Sequence, residues 1–152
     1  MIEVGQAAPD VELNLADGPV RLGALKGKPV VVYFYPKDDT PGCTLEAQDF
    51  TVLASEFAKA GVRVIGVSKD SAKRHANFAK KYDLAVELAS DESGAVCEAF
   101  GVWVEKSLYG RQYMGIERAT FLIAADGKIV QIWRKVKVAG HAQAVLDVAK
   151  AI

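Results

Sequence analysis

Residues 30–46 read VVVYFYPKDDTPGCTLE, and this stretch decides the fold of the chain. Its first six residues are β-branched or aromatic, which is typical of a strand buried on both faces of a sheet. Pro36 ends the strand, and a short polar loop leads to Thr40, a suitable N-cap, and to Pro41 at the first helical position. The stretch therefore predicts a core strand, a loop and a long helix that continues to about Ala60.

One of the two cysteines, Cys43, falls in the first turn of that helix. Unpaired backbone N–H groups and the helix dipole favour negative charge there, so a thiol at this position should ionise easily. Extending the apolar stripe of the helix backwards by three residues leads to Cys43. The stripe itself consists of Glu46, Phe50, Leu53, Phe57 and Ala60. We therefore expect a reactive thiol that faces the protein interior.

The composition is that of a globular protein of 152 residues, long enough to bury roughly 70% of its unfolded surface in one domain over residues 1–152. Lys+Arg and Asp+Glu both number 19, so no basic excess favours nucleic acid or an anionic membrane as a partner. The N-terminus has no signal-peptide pattern, and no apolar run reaches the ~18 residues of a membrane span. Two cysteines without an obvious pairing fit a reducing compartment, and we expect a cytoplasmic protein.

Strand and helix patterns alternate along the rest of the chain. Two short alternating runs around Asp17-Gly18 predict an N-terminal β-hairpin, and residues 102–118 are expected to be irregular. The other predicted elements are strands at 62–68 and 86–89, helices at 70–82 and around Cys97, a hairpin at 119–134 and a helix at 140–151. This order predicts an α/β fold in which helices flank a central mixed β-sheet.

The segment Pro36–Cys43 resembles the Pro-x-x-x-Thr-x-x-Cys motif of peroxiredoxins. Further segments resemble the bacterioferritin comigratory protein (BCP) or PrxQ subgroup, in the same order, from about Pro9 to the C-terminal helix. They include TPGCT at 40–44, GVS at 66–68, FGVW at 100–103, YGR at 109–111 and RATFLI at 118–123. The resemblance implies a thioredoxin-like fold, reduction of hydrogen peroxide or organic hydroperoxides, and no requirement for a metal or an organic cofactor.

The same resemblance implies roles for five residues. Cys43 would be the peroxidatic thiolate, which attacks the terminal peroxide oxygen and becomes a sulfenic acid. Arg118 would keep the thiolate anionic and polarise the peroxide, while the Thr40 hydroxyl would accept from the peroxide and donate to the sulfur. Pro36 would wall off the pocket. Glu46 would orient Arg118, although the helix dipole alone also favours an acid in this turn.

The sequence leaves the second half-reaction open. Many subgroup members carry a resolving cysteine five residues after the peroxidatic one, and here that position is Gln48. Either an external thiol of a thioredoxin- or glutaredoxin-type reductant completes a one-cysteine cycle, or Cys97 bonds to Cys43 after the first helical turn unwinds. An inert core cysteine is the competing interpretation of Cys97. The subgroup resemblance also implies a monomer.

Other function classes fit the residues less well. A dithiol oxidoreductase needs Cys-x-x-Cys, but Glu46 stands three residues after Cys43. A cysteine hydrolase needs a base, yet His141 is expected at a helix start and His75 on an apolar helix face as a packing residue. A thiol redox sensor that relays oxidation to a partner protein would use the same cysteine chemistry, and sustained turnover with a small thiol separates it from a peroxidase.

Overall fold

The computed structural model describes residues 2–152, which form nine strands and five α-helices. A 3-10 turn at Leu22–Leu25 follows the first two strands. The strands are β1 (Glu12–Leu15), β2 (Gly18–Arg21), β3 (Val30–Phe34), β4 (Arg63–Ser68), β5 (Glu87–Ser90), β6 (Trp103–Leu108), β7 (Arg111–Ile116), β8 (Ala119–Ile123) and β9 (Ile129–Trp133). The helices are α1 (Pro41–Val52), α2 (Ala54–Lys59), α3 (Ala72–Tyr82), α4 (Ala95–Ala99) and α5 (His141–Lys150).

Seven strands form one mixed sheet in the order β2-β1-β5-β4-β3-β8-β9. The central strand β3 runs parallel to β4 and antiparallel to β8, and all five of its residues are buried. The hairpins β1–β2 and β8–β9 form the two edges of the sheet. The predicted mixed sheet, its N-terminal hairpin and its buried core strand are therefore confirmed.

Two hydrophobic cores lie on opposite faces of this sheet, because successive side chains of a strand point to opposite sides. Val31 and Tyr33 of β3 pack against helices α1, α2, α3 and α5. Val32 and Phe34 of the same strand pack on the other side, with α4 and the N-terminal hairpin. The face that a residue occupies therefore decides which buried side chains it can reach.

The helix predicted to run from Pro41 to about Ala60 is instead two helices, α1 and α2, which break at Leu53. Two β-branched residues, Thr51 and Val52, precede the break and have low helix propensity. The Thr51 hydroxyl also accepts from the Ala85 N–H at 3.1 Å, which ties the end of α1 to a neighbouring loop. Ala60 is exposed, so the buried stripe ends earlier than predicted.

The prediction that residues 102–118 are irregular is wrong, since β6 and β7 form a separate two-stranded antiparallel ribbon there. Tyr109 and Gly110 make its two-residue turn, with φ of 52° and 76°. Positive φ at both positions is the type I′ geometry that matches strand twist. The turn was not predicted because a tyrosine stands where Asn or Asp is usual. The strands were not predicted because both are largely exposed and lack a clear alternation of apolar and polar residues.

The remaining elements follow the predicted order. Helix α3 begins after Ser71, whose hydroxyl accepts from the Arg74 N–H at 3.2 Å as an N-cap. Helix α5 packs its apolar stripe against α1 and α2. None of the helices between residues 2 and 152 combines the length and apolar character of a membrane span.

Candidate active site

Cys43 is the third residue of α1 and only 2% exposed. The 36–40 loop connects the end of strand β3 to the start of α1. The Thr44 N–H donates to the Thr40 carbonyl at 2.8 Å, which closes the first turn around the thiol. The predicted position of the thiol, at a helix start and facing inward, is the one observed.

Arg118 reaches this thiol from the strand next to β3. Phe34 pairs with Ala119, so the residue before β8 lies at the edge of the sheet where α1 begins. The Arg118 Nη2 donates to the Cys43 sulfur at 3.4 Å. Gly42 lets the guanidinium lie this close, since a β-carbon there would be 3.2 Å from Nη2. The arrangement places a fixed positive charge directly beside the sulfur.

Glu46 binds the other side of the same guanidinium, with Arg118 Nη1 donating to Oε1 at 2.7 Å. The carboxyl is 1% exposed, and burial raises its pKa to about 7 although Arg118 opposes the shift. Among residues 2–152, Oε2 finds no hydrogen-bond partner. Burial disfavours the charge of Arg118, but Glu46 and Cys43 outweigh it and raise the pKa of the guanidinium. Glu46 and Cys43 thus keep Arg118 charged.

Two predicted site residues are not joined to the thiol in this arrangement. The Thr40 backbone is extended, as at an N-cap, but its hydroxyl donates to the Lys37 carbonyl at 2.8 Å and makes no capping bond. Within the described chain, no hydrogen bond links Thr40 to the Cys43 sulfur. Pro36 is exposed on the same loop. Among residues 2–152, neither Thr40 nor Pro36 therefore makes a polar contact with the thiol.

Cys97 is fully buried on α4, in the core on the face of the sheet opposite Cys43. The Asp91 carboxylate accepts from the N–H groups of Val96 and Cys97 at 3.1 and 2.8 Å and anchors the helix start. Burial and the neighbouring Asp91 raise the pKa of the Cys97 thiol far above its usual range. Both cysteines are free, and the sheet lies between them.

Sequence reasoning missed two charged residues close to this site. Asp38, in the middle of the motif, is 2% exposed and fully hydrogen-bonded; two adjacent aspartates between a proline and a threonine were the available signal. Lys106 lies on β6, where burial and the charge of Arg118 lower its pKa while Cys43 opposes this. Because the ribbon was predicted to be irregular, no signal placed Lys106 near Arg118.

Comparison with known proteins assigns this geometry to a family. Residues 4–132 match the AhpC/TSA family. A Peroxiredoxin Bcp of Xanthomonas campestris is 52% identical over 152 residues, which cover 99% of this chain and 95% of the relative. A Peroxiredoxin Bcp of Bacillus subtilis is 48% identical over 150 residues, which cover 98% of this chain and 96% of the relative.

A solved structure of the Xanthomonas campestris bacterioferritin comigratory protein, from work on its alkyl peroxide reduction activity, has a TM-score of 0.90 at 52% identity. The match covers 99% of this chain and 96% of that one. Sequence and structure therefore agree along nearly the whole chain, and the chain belongs to the AhpC/TSA family, among the peroxiredoxins of the BCP/PrxQ subgroup.

Proposed function

We propose that this chain is a peroxidase that uses Cys43 to reduce hydrogen peroxide and organic hydroperoxides, with an external thiol as reductant. The observation that carries the proposal is the contact between the Arg118 guanidinium and a cysteine sulfur that is 2% exposed. Family membership and the alkyl peroxide reduction named for the Xanthomonas campestris relative support the same substrate class.

In the first half-reaction the Cys43 thiolate attacks the terminal peroxide oxygen and the O–O bond breaks. The sulfur gains that oxygen and becomes a sulfenic acid, while the leaving oxygen takes a proton and departs as water or an alcohol. Arg118 would stabilise the negative charge as it moves from sulfur to the leaving oxygen, since a guanidinium offers several donors in a fixed plane.

The 36–40 loop would complete the peroxide pocket. Thr40 lies at the start of the helix that carries Cys43, and rotation about its side-chain bond would redirect its hydroxyl from the Lys37 carbonyl to a bound peroxide. Pro36 has no N–H to offer a competing water, which suits a wall of a pocket that must keep the sulfur dry. Both roles follow from the family motif that this loop matches.

For the second half-reaction we favour an external thiol over Cys97. A disulfide needs Cα atoms within about 7 Å of each other, and Cys43 and Cys97 belong to cores on opposite faces of the sheet. An external thiol of the thioredoxin or glutaredoxin type would attack the sulfenic acid, form a mixed disulfide and release water. A second thiol would then regenerate Cys43 and leave as a disulfide.

Peptide mapping under non-reducing conditions tests both halves of the cycle. After one equivalent of hydrogen peroxide, we expect a dimedone-trapped sulfenic acid on Cys43 and unmodified Cys97. Cys43→Ser should consume no peroxide, whereas Cys97→Ser should keep multiple turnover with a small dithiol. Sustained consumption by Cys43→Ser would refute the peroxidase mechanism, and a Cys43–Cys97 peptide would refute the one-cysteine cycle.

The same experiment separates a peroxidase from a redox sensor, which would oxidise once per partner encounter and consume little peroxide with a small thiol. We further propose that residues 1–152 act as one catalytic domain, as a monomer in the cytoplasm. Two free cysteines suit a reducing compartment. Sedimentation of the reduced and oxidised protein tests the monomer.

A further inference from the structure

We propose that His75 and Asp38 form a buried ion pair that positions the 36–40 loop, and that His75 is thereby a positioning residue for the peroxidase reaction. The functional half of this inference rests on the proposed function, whereas the ion pair itself does not. It concerns a histidine for which the sequence predicted only packing.

Asp38 lies midway between Pro36 and Thr40, and its side chain points inward. Its Oδ1 accepts from the Tyr35 hydroxyl at 2.5 Å, and its Oδ2 lies 2.6 Å from His75 Nδ1. Its backbone N–H donates to Asp70 Oδ2 at 2.8 Å. The centre of the loop is therefore fixed through both side chain and backbone in a site that is 2% exposed.

His75 lies on α3 with 5% exposure, and each of its ring nitrogens faces an acceptor. Nδ1 faces the Asp38 carboxylate, and Nε2 is 3.0 Å from the Ala89 carbonyl oxygen. A carbonyl can only accept, so Nε2 carries a proton, and the ionised Asp38 carboxylate of the proposed pair requires a second proton on Nδ1. The geometry thus favours an imidazolium, which compensates a carboxylate that would otherwise be buried unpaired.

The charged and titratable groups around the pair agree with this assignment. Asp70 Oδ2 also accepts from the Ser68 hydroxyl at 2.6 Å, and its Oδ1 accepts from Arg74 Nε at 2.9 Å. Tyr35, the residue after β3, donates its hydroxyl proton to Asp38. Asp38, Asp70 and His75 are close enough together to hold a metal ion, but hydrogen bonds already engage the atoms that would bind it.

Helix α3 holds the same loop a second time on its outer side. Asp39 adopts a φ of 58°, and its carboxylate accepts from Lys81 Nζ at 2.8 Å and from the Tyr82 hydroxyl at 2.6 Å. These contacts are exposed and should contribute little. The buried pair is thus the stronger contact between α3 and the loop. Because Thr40 follows Asp38 by two residues and α1 begins directly after Thr40, a displacement of Asp38 would also displace Thr40 and the first turn of α1.

The test compares His75→Gln, Asp38→Asn and the double variant with Lys81→Gln, which removes only an exposed tie of the same loop. The rate constant for Cys43 oxidation by hydrogen peroxide is measured on protein whose folding is verified by near-UV circular dichroism. We expect this rate constant to fall at least tenfold in each single variant and to recover part of that loss in the double variant. In Lys81→Gln it should stay within twofold of the wild-type value. A folded His75→Gln within twofold of the wild type would overturn the positioning role.

Nitrogen-15 NMR of the wild-type protein tests the ion pair even if a single variant does not fold. We expect two N–H protons on the His75 ring of the wild type, and one of them should disappear in Asp38→Asn. A single ring proton in the wild type would overturn the ion pair. If the wild type and Lys81→Gln both failed to reduce peroxide, the proposed function would be wrong, while the NMR result would still decide the pair.

Discussion

Arg118 binds the Cys43 sulfur and the Glu46 carboxylate at the same time, through Nη2 at 3.4 Å and Nη1 at 2.7 Å. The arginine stands 75 residues after the cysteine, and the pairing of β3 with β8 brings the two together. One guanidinium plane thus connects a surface-inaccessible nucleophile with a buried acid. A flexible ammonium could bind one of these partners but has no planar fork to fit both.

Replacing Arg118 by lysine should therefore be a severe change. We expect the rate constant for Cys43 oxidation to fall by roughly two to three orders of magnitude, as when an oriented donor is removed from a developing anion. Competition with a reference peroxidase for limiting hydrogen peroxide measures this rate. Arg21→Lys, in an exposed ion pair far along the chain, is the matched control and should keep the wild-type rate. Equal rates for both variants would contradict the role of Arg118.

Glu46 should make the stability of the fold depend on pH in an unusual direction. Its folded-state pKa is raised from 4.5 to about 7, so the folded protein binds more protons than the unfolded chain in this window. The stability linked to its protonation is fully present below pH 4.5 and is lost as the pH rises through about 7. The loss amounts to about 3 kcal/mol, from 1.36 kcal/mol per pKa unit.

Glu46→Gln keeps the shape of the side chain and removes its titration. Urea unfolding of both proteins between pH 4 and 8 measures the difference in free energy of unfolding, in which the contributions of other groups cancel. We expect the free energy of unfolding of the wild type to fall relative to that of the variant as the pH rises through this window. A constant difference would show that Glu46 has the same pKa in the folded and the unfolded protein.

Tyr33 combines a tightly packed ring with a buried hydroxyl. Its ring stacks on Phe50 with centroids 4.7 Å apart and covers Gly66, where a β-carbon would come within 2.6 Å of the ring. Within residues 2–152, the hydroxyl is buried without a partner. Because a buried, unpaired hydroxyl is costly, Tyr33→Phe should raise the free energy of unfolding by about 1 kcal/mol.

Gly66→Ala supplies the opposite change at the same contact. The added methyl group collides with the ring, and overpacking of this kind costs about 1–3 kcal/mol. Chemical denaturation of both variants measures the two effects. If Tyr33→Phe were destabilised by as much as Gly66→Ala, the hydroxyl would have a partner such as a buried water.

How much of this could be predicted differs between short-range and long-range features. The run at 30–35 and the Thr40-Pro41 start are local, and they correctly placed Cys43 at the beginning of a helix and on its buried side. Arg118 could be associated with Cys43 only through the family motif, since nothing in the spacing of 75 residues reveals a strand pairing.

The features that could not be predicted depend on tertiary contacts or on unusual turn residues. The break at Leu53 follows a hydroxyl contact from Thr51 to Ala85, 34 residues away. The ribbon turn uses Tyr109 where Asn or Asp is usual. The partner of His75 lies 37 residues earlier in sequence, so an apolar helix face around the histidine indicated packing but not the carboxylate behind it.

We expect the first turn of α1 to open during the proposed second half-reaction. Cys43 is 2% exposed and faces the core, which suits a small peroxide but not the thiol of another protein. Oxidation of the proposed Cys43 thiolate removes its negative charge, so it should weaken the contact between Arg118 and the first turn of α1. Local opening of this kind lowers amide protection in the segment concerned.

Hydrogen exchange followed by mass spectrometry measures this opening. We expect peptides covering residues 41–48 to exchange at least several-fold faster when Cys43 carries a mixed disulfide than when it is reduced. The α5 segment, residues 141–150, packs on the same face and is the internal control, with no change expected. Equal exchange of residues 41–48 in both states would mean that the external thiol reaches the sulfur without loosening the helix, and the resolving step would then need another path.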